Sequence, residues 1–419
     1  MNLLRNRNFL LLTIGAFASS FGDLLRAMAL TYWILQGSQG SPLARTVQLV
    51  LGVLPALLLG PLAGVFSDRW NKRRIMLLSD LLRMLISLGL MAAFAWHSLT
   101  LTYVCIVTSA AIAVFFEPAR FSLVRTVVKD ASDLSRANAL TESGMRLLTL
   151  LGPATATAIY FVAGGAWAFA IDSVTFGVSA LTVFAVHLDS TAIRPEVDEE
   201  HISISAFWRE ALAGFSYLRG NVALMLFMVT TTGLMLTATT NQVSLVFLLI
   251  DALHRPASDL AWVLAVSGGA QMVAALAVAA LGKRIRPAPL LVGCMAAIAV
   301  SQIGMGLAPT ALVFGIWVLL GALVNAPYSI AYDTTLQQTV EEQYMGRVYS
   351  LDSAIGSGLN LLILSSAGIL TATIGPRFAV TGAGLLSLVF AGVGFLGFLP
   401  AMRRAPASPG GRGAATNTV

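Results

Sequence analysis

From residue 9 onward the chain is a succession of long apolar runs, each interrupted by a short polar or charged interval. A helix needs about 20 consecutive apolar residues to cross a hydrocarbon core of about 30 Å. Taking each run as one helix predicts about twelve spans, at 9–35, 46–67, 75–96, 98–117, 141–163, 166–187, 221–250, 259–281, 288–307, 309–332, 347–373 and 376–400. The runs are continuously apolar and lack the dyad alternation of barrel strands, so the expected fold class is an all-α membrane protein.

The longest interval, 188–220, divides the chain near its middle. The expected organisation is a six-helix half at 1–187, a cytoplasmic linker at 188–220, a second six-helix half at 221–400 and a disordered tail at 401–419. Such an arrangement suits a two-half transporter with its site at the interface of the repeats. Within the linker, Glu196, Asp198, Glu199 and Glu200 read as a solvated acidic patch. Phe207, Trp208, Leu212, Phe215 and Tyr217, interspersed with Arg209, Glu210 and Arg219, read as an amphipathic helix on the inner leaflet.

Composition makes the bilayer the solvent. Hydrophobic residues are 57% of the 419 and charged residues 11%, against about 25% charged in soluble domains, and the mean hydropathy is +0.80. The net charge of +6 would suggest nucleic acid in a soluble chain. Here the basic residues gather in short loops between spans and read as topology signals, so no nucleic-acid partner is expected. Cys105 and Cys294 sit inside apolar runs and read as buried hydrophobes. Arg5 and Arg7 precede Ala16-Phe17-Ala18, which superficially resembles a signal-peptide cleavage site. The apolar character continues to about Leu35, so a retained first helix is the better reading.

Lysine and arginine placement sets the expected orientation. With the N-terminus inside, that side holds Arg5, Arg7, Arg69, Lys72, Arg73, Arg74, Arg120, Arg125 and Arg136, and later Lys283, Arg284, Arg286, Arg347, Arg403 and Arg404. The opposite side receives Arg45, Arg255 and Arg377. The bias places both termini in the cytoplasm of a multi-pass cell-membrane protein.

Ionisable residues at membrane depth are costly and become functional candidates by default. Asp23 stands near the middle of the first span with Arg26 three residues on, on the same helix face. The pair is either a structural ion pair or part of a cavity in which Asp23 accepts a proton or a cationic group. Asp172 in the sixth span is either a helix-end carboxylate with exposed contacts or a second proton acceptor. Asp80 with Arg83, and Glu142 with Arg146, read as structural residues near the inner surface. Asn241, Gln242, Gln271 and Asn325 are polar amides at membrane depth that bond neighbouring helices or orient a ligand. The four histidines are scattered, and neither a nucleotide-binding loop nor metal-ligand spacing occurs, so neither enzyme chemistry nor a cofactor or metal is expected.

The loop after the second span, Gly64 to Arg74, resembles the signature loop of the major facilitator superfamily. Gly64, Asp68, Arg69, Lys72 and Arg73 match it residue by residue, while Asn71 stands where the loop glycine falls, as a residue tolerant of left-handed backbone. The resemblance implies a conformational latch in which Asp68 meets the N-terminal end of the eleventh helix, starting near Gly346, and Arg69 or Arg73 pairs with Glu117. Gly282 to Arg286 occupies the equivalent place in the second half but lacks the aspartate, so the latch is expected to be asymmetric. Phe115-Phe116-Glu117-Pro118-Ala119-Arg120, Arg136-Ala137-Asn138-Ala139-Leu140 and Gly152-Pro153 resemble the macrolide-efflux-like branch, the third drug:proton antiporter family. The antiporter motif of the fifth span usually continues into a glycine pair, whereas Ala156 and Thr157 stand here. The resemblance implies an exporter of amphipathic or hydrophobic small molecules coupled to proton entry; the intramembrane Asp23 and Asp172 are the candidate coupling carboxylates, and a monomer is expected. A carrier of lysophospholipids or a siderophore-like product is the alternative within transport, and a membrane-embedded enzyme or a sensor without transport is the alternative outside it.

Overall fold

The computed structural model describes residues 6–128, 131–186, 221–281, 286–340 and 342–404. The side chains of 61–69, much of 131–150 and most of 342–354 lie outside that description, as do the expected linker helix, its acidic patch, the 282–285 loop and the tail. Twelve long helices follow one another: α1 (Arg7–Gly37), α2 (Pro42–Arg69), α3 (Lys72–Ala95), α4 (Leu99–Val127), α5 (Ala131–Ala163), α6 (Gly165–Ala185), α7 (Val222–Phe247), α8 (Leu260–Leu281), α9 (Pro287–Leu307), α10 (Ala311–Thr339), α11 (Glu342–Ile374) and α12 (Pro376–Val393). A π-helical turn, Leu248–Ala252, extends α7, and another, Gly394–Phe398, joins α12 to α13 (Leu399–Arg404). No strand occurs among the described residues.

Every expected span falls on one of these helices. The helices outrun the apolar runs where polar turns extend them. α5 begins at Ala131 and α11 at Glu342, ahead of the apolar runs expected from 141 and 347. α4 carries Pro118 internally and continues to Val127, so Glu117 lies well inside the helix and not at its end. A proline removes one hydrogen bond and bends a helix without having to end it.

Helix starts follow ordinary capping chemistry. The Asn6 side chain accepts from the backbone N–H of Asn8 at 3.1 Å and of Phe9 at 3.2 Å, opening α1. Asn71, expected in a left-handed conformation, has φ of −64° and caps α3 by accepting from the Arg74 N–H at 3.1 Å. Its amide serves the orphan donors of a helix N-terminus. α5 and α6 are joined at Gly164 (φ 94°), and α11 and α12 at Gly375 (φ 86°). Single-residue turns at positive φ are glycine's province.

Two compact units form. One comprises α1–α6 together with 243–269 and 364–375; the other holds the remainder of α7 and α8, with α9, α10, the earlier part of α11, and α12. In the first, α1 packs closely on α6 and α3 on both α4 and α6. At the end of this unit away from residue 7, Leu49, Val50 and Val53 of α2 pack against Val243, Leu364 and Ala367. Ser244 and Thr371 share a hydrogen bond of 2.6 Å there, and Gly368 lies against Thr46. In the second unit, a core of Leu224, Phe227, Leu291, Met295 and Phe398 joins α7, α9 and the end of α12. Large apolar side chains such as Leu85, Leu181, Leu276 and Leu312 point outward, as expected where lipid replaces water.

Candidate functional site

α1, α3 and α6 meet along a polar seam inside the first unit. Glycines on α1 allow the approach: a Cβ on Gly22 would lie 2.0 Å from Thr175 Oγ1 and 2.7 Å from Asp172 Oδ1, and one on Gly15 would lie 2.3 Å from Thr182 Oγ1. Small residues at such crossings let helix backbones come together.

On the facing stripes of α3 and α6 the side chains meet as three rungs. Ser179 Oγ donates to Asp80 Oδ2 at 2.6 Å. The Arg83 guanidinium lies 4.2 Å from the Phe176 ring centroid. Ser87 Oγ donates to Asp172 Oδ2, again at 2.6 Å. Residues 80, 83 and 87 share one face of α3, and 172, 176 and 179 one face of α6, so aspartate and serine change places from one end of the ladder to the other.

α1 adds the remaining charges. Asp23 receives a hydrogen bond from Arg26 at 2.5 Å and another from Arg83, so one carboxylate holds two guanidinium groups. Arg26 Nη1 also lies 3.7 Å from Asp172 Oδ2, and its guanidinium is 5.6 Å from the Phe176 ring centroid. Asp80 and Asp172 are wholly buried, whereas the Asp23 side chain is 37% exposed. The two arginines and three carboxyls thus lie along one seam that is shielded over most of its length.

The structure brings Asp23, Arg26 and Asp172 together and adds Arg83, Asp80, Ser87 and Phe176. The expected position of Arg83 near the inner surface is corrected: Arg83 stands midway along α3 and binds Asp23 across 60 residues of sequence. Asp172 touches no exposed neighbour and is buried against α1 and α3, which removes the helix-end alternative.

The loop residues are distributed differently from the expected latch. Arg73 donates to the backbone carbonyls of Val183, at 3.2 Å, and Phe184, in the last turn of α6, where helix carbonyls favour a cation. Glu117 accepts from Arg120, one helical turn away, at 2.7 and 3.1 Å; it is not paired with Arg73. Lys72 opens α3. The side chains of Gly64, Asp68 and Arg69 lie outside the described residues, as do those of Glu142 and Arg146. Arg73→Ala is expected to cost about 1.5 kcal/mol, the low end for hydrogen bonds to a charged group because the site is partly exposed, read as a lower unfolding temperature in detergent. Arg73→Lys should recover only part of it, since an ammonium cannot span both carbonyls as the guanidinium fork does.

The polar amides belong elsewhere. Asn325 lines a cavity of about 330 Å³ in the second unit with Thr231, Met235, Ile298, Tyr328 and Tyr332. Asn241 is half-buried with no hydrogen-bond partner for its carbonyl oxygen, Gln242 is exposed, and Gln271 is half-buried on α8. A larger groove of about 670 Å³ lies between α3 and α4, lined by Trp70, Arg74, Leu78, Leu82, Ile112 and Phe115. It occupies a different face of α3 from the ladder. Among the described residues no group of three or more histidines, cysteines or carboxylates is disposed to hold a metal ion.

Membrane-length helices around a buried charge ladder define a multi-pass membrane protein with ionisable groups at its interior. The model of the Major Facilitator Superfamily matches residues 12–360, and the chain belongs to that family of membrane transporters. It is 24% identical over 383 residues to the multidrug efflux pump Tap of Mycobacterium tuberculosis, covering 89% of this chain and 90% of that one. It is 23% identical over 385 residues to macrolide efflux protein A of Streptococcus pyogenes, with the same coverage. Among solved structures it resembles a bacterial homologue of the iron transporter ferroportin in an inward-facing state, with a TM-score of 0.75 and 15% identity over 94% of this chain and 99% of that one. That likeness speaks to the fold alone. The protein is a transporter and not an enzyme, similar to efflux proteins of the superfamily's drug-efflux branch.

Proposed function

We propose that this transporter exports amphipathic or hydrophobic small molecules across the cell membrane by alternating access, in exchange for protons. The observation that carries the reading is the Asp23–Arg26–Arg83–Asp172 network at membrane depth. Burying such groups costs at least about 2.5–3.5 kcal/mol each on insertion scales, and a titratable cluster at the meeting of three helices converts protonation into a change of helix contacts. The efflux relatives support the cargo class, and the two named pumps support the direction of transport. Both termini face the cytoplasm in this reading, because the basic loops lie on that side. The packing of α2 against 243–244 and 364–371 is then the extracellular gate in its closed form.

Substrate contacts are proposed within each unit by itself: Asp23 and Arg26 in the first, and in the second Asn325 on its cavity together with Asn241, Gln242 and Gln271. The latch is assigned to the Gly64, Asp68, Arg69 and Lys72 segment, with Arg73 anchoring it to α6. A monomer suffices for this mechanism.

The test is efflux from proteoliposomes driven by a pH gradient. Wild-type protein should respond to the gradient, whereas Asp23→Asn with Asp172→Asn should lose that response and retain substrate counterflow, which needs no net proton movement. Gradient dependence undiminished in the double variant would eliminate both carboxylates as the coupling groups.

A further inference from the structure

The ladder is not electrically balanced. Asp23, Asp80 and Asp172 face Arg26 and Arg83, which leaves one formal negative charge in excess. Uncompensated charge in a low-dielectric interior is strongly disfavoured, and a carboxyl in that position takes up a proton instead. One proton neutralises the cluster.

Geometry decides which carboxyl holds it. Asp23 contacts both guanidinium groups and is partly exposed. Asp172 has the Ser87 hydroxyl and Arg26 at 3.7 Å. Asp80 touches neither arginine. Among the described residues its one side-chain hydrogen bond comes from Ser179 at 2.6 Å and its Oδ1 has no partner, and it is 0% exposed. Among the described residues the elements beside α3 supply no other compensation: α6 presents Ser179 and the distant Asp172, α1 presents Asp23 and Arg26, and α4 presents the Glu117–Arg120 pair, closed on itself, while the side chains at 61–69 of α2, which also packs on α3, lie outside the described residues. On α3 itself Arg83 is engaged with Asp23.

We propose that Asp80 is a proton-binding site, its carboxyl carrying the balancing proton of the cluster in this conformation and releasing it as Arg83 passes from Asp23 to Asp80. On release the Asp80 O–H bond breaks, the proton leaves to water, and the new carboxylate takes the guanidinium three residues along its own helix. Asp23 keeps Arg26 alone, so the contact between α3 and α1 loosens. Reprotonation returns Arg83 to Asp23 and restores it. The proposal rests on the proton-coupled reading above and deepens it: Asp23 and Asp172 set the arginines, and Asp80 stores the proton.

Infrared spectroscopy of the full chain in lipid nanodiscs tests it through the carbonyl stretch of a buried carboxylic acid. At neutral pH the wild type should show this band, Asp80→Asn should lose it, and Ser87→Ala, which removes the hydroxyl donating to Asp172 without changing the charge count, should leave its frequency unchanged. Ser179→Ala, which removes the hydrogen bond to the carbonyl oxygen, should shift its frequency. Absence of the band in the wild type, its persistence in Asp80→Asn or a frequency shift in Ser87→Ala would overturn the assignment. Should Asp80→Asn fail to accumulate, an unshifted band in Ser179→Ala overturns it equally. Gradient-driven efflux on the same preparation separates the two readings. The band without gradient dependence defeats proton coupling and leaves Asp80 protonated; gradient dependence without the band defeats the Asp80 site alone.

Discussion

Replacing Arg83 with leucine is expected to destabilise the protein by about 3 kcal/mol, the lower part of the range for removing one member of a buried ion pair. The low end applies because Asp23 keeps Arg26 and is partly exposed. The loss has two sources. The Asp23 carboxylate gives up one of its two cations, and the Phe176 ring loses the guanidinium that lies 4.2 Å from its centroid. Adding Asp23→Asn removes the charge that Arg83 balances, so the double variant should recover most of the lost stability. A coupling energy above about 1 kcal/mol is what residues in one ion-pair network give. Denaturant unfolding of the two single variants and the double variant in detergent measures it, and strictly additive effects would show that Arg83 and Asp23 do not act as a pair. Efflux should be lost in both Arg83→Leu and the double variant, since neither retains the guanidinium proposed to pass between Asp23 and Asp80.

The helices were legible in the chain because their signal is local. An apolar run of membrane length between charged intervals needs no partner to be recognised, and all twelve runs fall on helices. Boundaries were less legible where a helix continues into polar sequence. Nothing in the apolar pattern marks Ala131 as the start of α5, and Pro118 reads as a stop although α4 runs on to Val127.

The site divides in the same way. Asp23 and Arg26 are three apart on one helix, so their pairing follows from helical spacing. Asp172 was visible as a carboxylate in an apolar run. Arg83 was not assigned to either, because its partner is 60 residues away in sequence and its stripe on α3 acquires meaning only once α6 is laid beside it. The available signal was the spacing Asp80, Arg83, Ser87, which shares one helix face and matches Asp172, Phe176, Ser179 read in reverse. Arg73 shows the opposite error. A basic residue in a charged loop suggests an acidic partner, yet its acceptors are two backbone carbonyls, which sequence does not advertise.

Gly22→Leu is expected to abolish efflux, because this position sets how closely α1 and α6 approach. Even a Cβ would fall 2.0 Å from Thr175 Oγ1 and 2.7 Å from Asp172 Oδ1, distances at which atoms cannot coexist. Thr175 cannot turn aside without loss, as its hydroxyl donates to the Asp172 carbonyl at 2.7 Å. Inserting side-chain atoms into a packed contact costs about 1–3 kcal/mol through forced displacement, and the displacement here lengthens the 3.7 Å approach of Arg26 to Asp172. The functional loss should therefore exceed the stability loss: folded protein should still be recovered while gradient-driven efflux disappears. Gly22→Ala should produce a milder form of the same defect. Combining it with Thr175→Ala removes the nearer clash and should restore part of the efflux, measured in proteoliposomes beside the unfolding temperature. Wild-type efflux and stability in Gly22→Ala would show that the α1–α6 contact has slack and that its glycine does not govern the ladder.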